Sequence, residues 1–413
     1  MSLRLSPWRA LAPWLISLLV LLVIPMLVSG NGTFSIINLI AINIVFALSY
    51  NMLLGQGGML SFGHAVFFGL GAYGAIHGMN LIGDAGYDGQ GFWAHFPVYL
   101  LPLVGFATGA LAALLVGWPF CRRAGTAFAM ITLGLGELVA AGSQMFPTVF
   151  GGEAGVFSNR MVGPVWFGLE LAQPADVYWF SAFWVLLAVF AMWAFTRTPL
   201  GRLSNAVRDN AERLQFIGYP PRNLRFLVFI AAGGFAGLGG GMAAVNYEIV
   251  TPESLGLLTS GLALLMAAVG GLGVFYGPIV GAILVTVMNS LLSDYTDASI
   301  LYVGLVFLAV VMFAPSGLGG GIEQVRQAWR RGDLAAHLPG WLGGVLAVVL
   351  IALGLVGTIE LVYQLSHGRD KLAQVLGLQP DPSSPLVWLG VVALFAAGVG
   401  VARASKNYRE ARS

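Results

Sequence analysis

Charge is scarce in this chain. Only 9% of its 413 residues are Asp, Glu, Lys or Arg, against roughly 25% in soluble domains, which excludes an ordinary water-soluble globule. Lysine is scarcer still: Lys371 and Lys406 are the only two, followed by Leu372 and Asn407. Neither completes the G-x-x-x-x-G-K-[ST] loop that cradles nucleotide phosphates, so an ATP-driven function requires a separate subunit. A single cysteine, Cys121, excludes an intrachain disulfide and a cysteine-based metal cluster. No nucleophile–base pair, metal-ligand cluster or set of polar residues at one depth suggests an enzyme. The arginines are not interleaved with aromatics as a nucleic-acid surface would require.

Apolar residues fill the space left by charge. They make up 58% of the chain, with 57 glycines beside them, and mean hydropathy is +0.83. Glycine lets helix backbones approach closely inside a membrane. A crossing helix needs about 20 mostly apolar residues. Twelve stretches qualify, near 12–29, 34–54, 63–80, 97–117, 125–145, 177–195, 226–246, 257–273, 276–292, 299–313, 340–363 and 386–402. The fold class is therefore an all-α polytopic helical bundle, about ten core spans plus two C-terminal ones. The first stretch follows Arg4 and Arg9 and ends at Val28-Ser29-Gly30. Its apolar core is longer than that of a cleaved signal, so it reads as a retained span.

With twelve alternating spans and the N-terminus inside, all but three of the 20 basic residues fall on the cytoplasmic side. The exceptions are Arg160, Arg369 and Lys371, and the outer loops are acidic instead. This asymmetry follows the positive-inside rule and places both termini in the cytoplasm.

The inner loop 197–225 reads as a short amphipathic helix. Thr198 suits the N-cap and Pro199 the first helical position. Gly218 before Pro220 and Pro221 is a stop. Leu203, Ala206, Val207, Asn210, Leu214 and Ile217 share one face, and Arg202, Arg208, Asp209 and Arg213 the other. Such a helix either lies on anionic lipid or inserts into a groove on a cytoplasmic partner.

The stretch Ser49-Tyr50-Asn51-Met52-Leu53-Leu54-Gly55-Gln56-Gly57-Gly58-Met59-Leu60-Ser61-Phe62-Gly63-His64-Ala65 resembles the signature of LivM-type permeases, membrane subunits of branched-chain amino-acid ABC importers. Further matches follow in order: Thr126 to Leu133 with Glu137, Thr198 to Arg202 leading to Gly218, Gly270 to Gly273 with Tyr276-Gly277-Pro278, and Phe313 to Leu318. The resemblance covers about 1–322, the permease core. The stretch 323–413, with two spans and the Pro/Ser-rich segment 379–385, is an extension outside it.

The resemblance implies a bacterial inner-membrane permease for branched-chain or similar small amino acids. Its partners would be a second, LivH-like permease, two cytoplasmic ABC ATPases that bind the ATP, a periplasmic or extracellular binding protein, and membrane lipid. The 197–225 loop becomes the coupling helix, with Arg202, Arg208, Glu212, Arg213 and Gly218 facing the ATPase. Candidate pathway residues are Asn51, Gln56, Ser61, His64, Thr132 and Glu137. Of these, Glu137 sits within a span and His64 stands where it could brace the glycine-rich break. Asn38, Asn43, Asn246 and Asn289 read first as helix–helix hydrogen bonds. Gly57-Gly58 with Phe62-Gly63 echoes Gly270-Gly271 with Tyr276-Gly277, which suggests a parallel internal repeat with broken helices. The alternative is an ion-coupled transporter or channel that works alone, for which only Glu137 and His64 would serve.

Overall fold

The computed structural model describes residues 7–28, 30–88, 91–165, 170–295, 299–314, 316–332, 334–367 and 384–410. Arg4, Ser29, Pro315, Arg369, Lys371, Arg412 and the segment 379–383 lie outside the described residues. The helices run α1 (Pro7–Leu27), α2 (Asn31–Asn51), α3 (Ala65–Asp88), α4 (Leu101–Phe120), α5 (Thr126–Met145), α6 (Pro147–Phe150), α7 (Pro174–Arg197), α8 (Pro199–Asp209) and α9 (Ala211–Phe216). They continue as α10 (Pro221–Tyr247), α11 (Leu257–Gly270), α12 (Gly277–Tyr295), α13 (Ser299–Phe313), α14 (Gly317–Arg331), α15 (Leu334–His367) and α16 (Pro385–Glu410). Two short strands, β1 (Val156–Phe157) and β2 (Ile249–Val250), pair antiparallel with Val156 opposite Val250.

Each of the twelve apolar stretches forms a helix. Among the described residues, eight are long and apolar enough to cross a membrane, or nine if the bent pair Leu301–Met312 and Gly317–Arg331, at 48°, counts as one. The expectation of twelve full spans is therefore too simple. The α11 helix has 14 residues, a length of about 21 Å at 1.5 Å per residue, short of a hydrocarbon core of about 30 Å.

The chain divides into two compact units. One comprises Met1–Val287 with Ala309–Gly319, the other Met288–Leu308 with Gly320–Ser413. The second unit thus takes in 288–308 as well as the 323–413 tail. Within it α15 and α16 pack on each other, Gly354 seating against Phe395 and Gly398 against Ile351.

In the first unit α10 is central, packed against α2, α3 and α4. Its residues from Phe235 to Val245 are all buried. Close approach to α4 depends on Gly237, where an added Cβ would lie 2.2 Å from the Gly105 carbonyl oxygen and 2.9 Å from Gly109 Cα. With no hydrophobic drive between helices in lipid, such backbone contact supplies the dispersion energy of association. Hydrogen bonds set the remaining helices. Tyr178 Oη donates to the Leu21 carbonyl at 2.5 Å, joining α7 to α1. Trp184 Nε1 donates to the Tyr99 carbonyl at 2.9 Å. Asn38 donates to the Pro174 carbonyl at 3.1 Å and Asn43 to Thr286 at 2.8 Å, the helix–helix role read from their sequence positions.

At the C-terminal end of α10, β1 and β2 tie the α5–α7 connection to the α10–α11 connection. Arg160 locks this junction. Its backbone N–H donates to Glu248 Oε1 at 2.8 Å, and its guanidinium donates to the carbonyls of Leu171 (2.5 Å), Asn246 (2.9 Å) and Ala172 (3.3 Å). Glu248 is, among the described residues, the non-glycine residue held at positive φ, 58°.

Candidate functional site

The glycine-rich stretch after α2 does not continue as a helix. Met52–Gln56 forms a π-helical turn, a device that often marks functional sites. The backbone then folds back, with Gly58 N–H bonding to the Leu54 carbonyl at 3.0 Å and Met59 N–H to the Leu53 carbonyl at 3.0 Å. The chain re-enters a helix at Ala65, whose N–H donates to Ser260 Oγ at 2.9 Å. That bond satisfies one of the orphan donors of the α3 N-terminus.

His64 braces this break. Its Nε2 lies 2.9 Å from Ser49 Oγ, and its ring stacks on Phe46 with centroids 5.7 Å apart. Tyr50 and Phe67 meet the same ring edge-on. Ser49 Oγ also lies 2.7 Å from the Phe46 carbonyl, to which it donates its single proton. The network therefore assigns the imidazole proton to Nε2 and leaves Nδ1 as an acceptor. Tyr50 Oη donates to the Ser61 carbonyl at 2.9 Å, closing the turn from the other side. Thr132 joins from α5: its Oγ1 accepts the Phe62 N–H at 3.2 Å and donates to the Ala129 carbonyl at 2.9 Å.

Five of the six expected pathway residues, Asn51, Gln56, Ser61, His64 and Thr132, are buried at this break. In four of them a buried polar atom has no hydrogen-bond partner among the described residues: Asn51 Oδ1, Gln56 Oε1, Ser61 Oγ and His64 Nδ1. Buried polar atoms are nearly always paired, and an unpaired one costs about 1–3 kcal/mol. Their concentration within 51–64 marks this turn as a polar element inside an apolar unit. The sixth residue, Glu137, is placed differently. It is exposed on a face of α5 that also presents Met130, Leu138 and Met145. It lies within the α5 span, on the side away from Phe128, Ala129, Thr132, Gly136 and Ser143, through which α5 packs.

The 197–225 loop is two helices, not the single one expected. Thr198 caps α8, its Oγ1 accepting the Gly201 N–H at 3.2 Å, and Pro199 opens the helix. At Asn210 the backbone turns extended (φ −157°, ψ 97°), and Asn210 Oδ1 accepts the Arg213 N–H at 2.9 Å to cap α9. An asparagine inside a helical pattern has competed for the backbone and won. Val207, Leu214 and Leu224 form the base, with Leu200, Leu203, Ala206 and Ala211 around them. Ile217, expected on this apolar face, is instead exposed, as are Phe216 at 89% and Tyr219. Arg202, Glu212, Arg213 and Gly218 are exposed as well. Arg208 is exposed too, and in addition its Nη1 donates to the Gly55 carbonyl of the π-helical turn, while Asp209 lies 3.1 Å from its guanidinium.

The two glycine-rich strings meet, since a Cβ on Gly55 would lie 2.8 Å from the Leu272 carbonyl oxygen. Their settings differ: Gly63 seats against Thr132 of α5, whereas Gly277 seats against Gly270 and Gly271 within its own string. Elsewhere, a cavity of about 380 Å³ lies among α1, α2, α7 and α12, lined by Trp14, Leu21, Ile37, Ile44, Val185 and Ile279 among others. This lining is mostly apolar, with Ser17, Asn38, Tyr178 and Ser181 as its polar members. Ser49, Tyr50 and Ser260 complete the polar frame of the break. Tyr50 and Ser49 lie inside the signature string, but Ser260 meets Ala65 across 195 positions, and no local pattern announces such a contact.

Comparison with known proteins agrees with this arrangement. The family model for the branched-chain amino acid transport system / permease component matches residues 32–315. The LivM permease protein of the high-affinity branched-chain amino acid transport system of Escherichia coli K12 is 30% identical over 328 residues, 74% of each chain. BraD of the corresponding system of Pseudomonas aeruginosa is 23% identical over 294 residues, 68% of this chain and 92% of its own. LivH of Escherichia coli K12 is 21% identical over 297 residues, 68% of this chain and 91% of its own. No solved structure matches. The ordered signature motifs, the helical bundle and these matches together show that the chain belongs to the branched-chain amino acid permease family and is a LivM-type, multi-pass inner-membrane permease.

Proposed function

We propose that this chain is one of two membrane-spanning subunits of an ATP-driven importer for branched-chain or similar small amino acids. It moves solute and performs no covalent chemistry. Both termini lie in the cytoplasm, a reading that the arginine distribution supports. A second, LivH-like permease packs against the exposed α5 face, with Glu137 beside the path between the two. A binding protein delivers solute at the end of α10 braced by Arg160, and two separate ATPases dock at the opposite end.

The observation that carries this reading is the shape of the α8–α9 loop. It has a buried apolar base and an exposed apolar tip of Phe216, Ile217 and Tyr219, at 89%, 63% and 47% exposure. Arg202, Glu212 and Arg213 are exposed on the same loop. An apolar tip on a short helix, with exposed charge on the same loop, is the form of a knob for a partner's groove.

The test is uptake of radiolabelled leucine by proteoliposomes holding the chain with its co-purified subunits. Uptake that requires ATP and persists with an uncoupler is expected. Uptake that ignores ATP and collapses with an uncoupler would establish the ion-coupled alternative. A Phe216→Glu variant should still reach the membrane but lose its ATPases.

A further inference from the structure

We infer that Arg208 is a positioning residue that acts inward, as a strut tying α8 to the π-helical turn at the end of α2, and is not a contact to the cytoplasmic partner. This rests on the reading of α8 and α9 as the coupling element.

Three observations carry it. First, the Gly55 carbonyl is left without its helical donor, because Met59 N–H turns back to the Leu53 carbonyl. Arg208 Nη1 fills that place, and a guanidinium bond to a carbonyl is charge-assisted and stronger than a neutral one. Second, the turn lies directly on α8. Gly58 has φ 65°, and a Cβ there would sit 2.8 Å from Arg208 Cγ, 3.2 Å from its Cβ and 3.3 Å from its Cα. Glycine is thus required at 58 by both its backbone and its neighbour. Third, Gly55 touches the second string on its other side, where an added Cβ would meet the Leu272 carbonyl oxygen at 2.8 Å. Asp209 holds the guanidinium at 3.1 Å, but an exposed neighbouring pair of this kind contributes little energy. Its effect is to orient the fork toward Gly55.

The contact has a mechanical consequence. A shift of α8 is delivered through one side chain to the turn that carries Asn51 and Gln56, and from there to the α11–α12 turn at Leu272. Arg208 therefore links motion of the cytoplasmic loop to the buried break.

The experiment compares leucine taken up per ATP hydrolysed, in proteoliposomes of the full complex, for wild type, Arg208→Met, Arg208→Lys and Gly58→Ala. Arg208→Met and Gly58→Ala should keep their ATPases and hydrolyse ATP, while the ratio falls about tenfold or more, the loss of one charge-assisted hydrogen bond. Arg208→Lys should fall between, since an ammonium offers the carbonyl a point charge without the planar fork. The double variant should be no worse than either single, as both break one contact. An unchanged ratio in Arg208→Met overturns the inference, and so does loss of the ATPases from that variant alone, which would place the cation at the partner interface. If Arg208→Met fails to accumulate, Gly58→Ala, which keeps the cation, decides by the same ratio. A wild-type complex without ATPases brings down the coupling reading itself.

Discussion

Two buried side chains show how this protein accommodates polarity within apolar surroundings. His64 is fixed by one hydrogen bond and three aromatic contacts, and its second nitrogen has no partner among the described residues. Cys121, just after α4, is fully buried. Burial pushes its thiol up to about 12, and the nearby Arg225 and Arg222 offset only part of that rise. Because the thiolate is the reactive form, the folded protein should resist iodoacetamide from about pH 7 to about pH 9, where an ordinary thiol near 8.5 ionises. Mass spectrometry of the intact chain should show no adduct until detergent denaturation exposes the site. Rapid labelling of the folded chain at neutral pH would contradict the buried placement.

At the scale of the element, glycine decides which helices touch. Gly237→Val would drive a side chain into the Gly105 carbonyl and force α4 and α10 apart. Overpacking of this kind costs about 1–3 kcal/mol, more where backbone must move. The expected outcome is a clear loss of monodisperse protein in detergent by size-exclusion chromatography. Gly86→Val, where an added Cβ meets nothing within 4 Å, should behave as wild type. Elements of this sort were largely legible in advance. All twelve apolar stretches are helical, and the cap at Thr198-Pro199 forms as its residues dictate. What was not legible shares a cause. The break at Asn210 required weighing one side chain's bond to its own backbone against a helical period. Ile217 stands just past the end of α9, where the helical period no longer applies. The inward turn of Arg208 depends on a carbonyl 153 positions away, and the exposure of Glu137 depends on which side of α5 packs. Periodicity records the faces of an element, and it does not record which neighbour each face receives.

For the whole molecule, the family match spans residues 32–315. A polar, partly unsatisfied turn lies within it, and a two-helix loop abuts that turn at one end. The most direct test of this account is gentle affinity purification of the full chain from its native membranes, with every co-purifying protein identified. Recovery of a second, related permease and ABC-type ATPases is the predicted result. Recovery of the chain without any ATPase in several mild detergents would contradict the account.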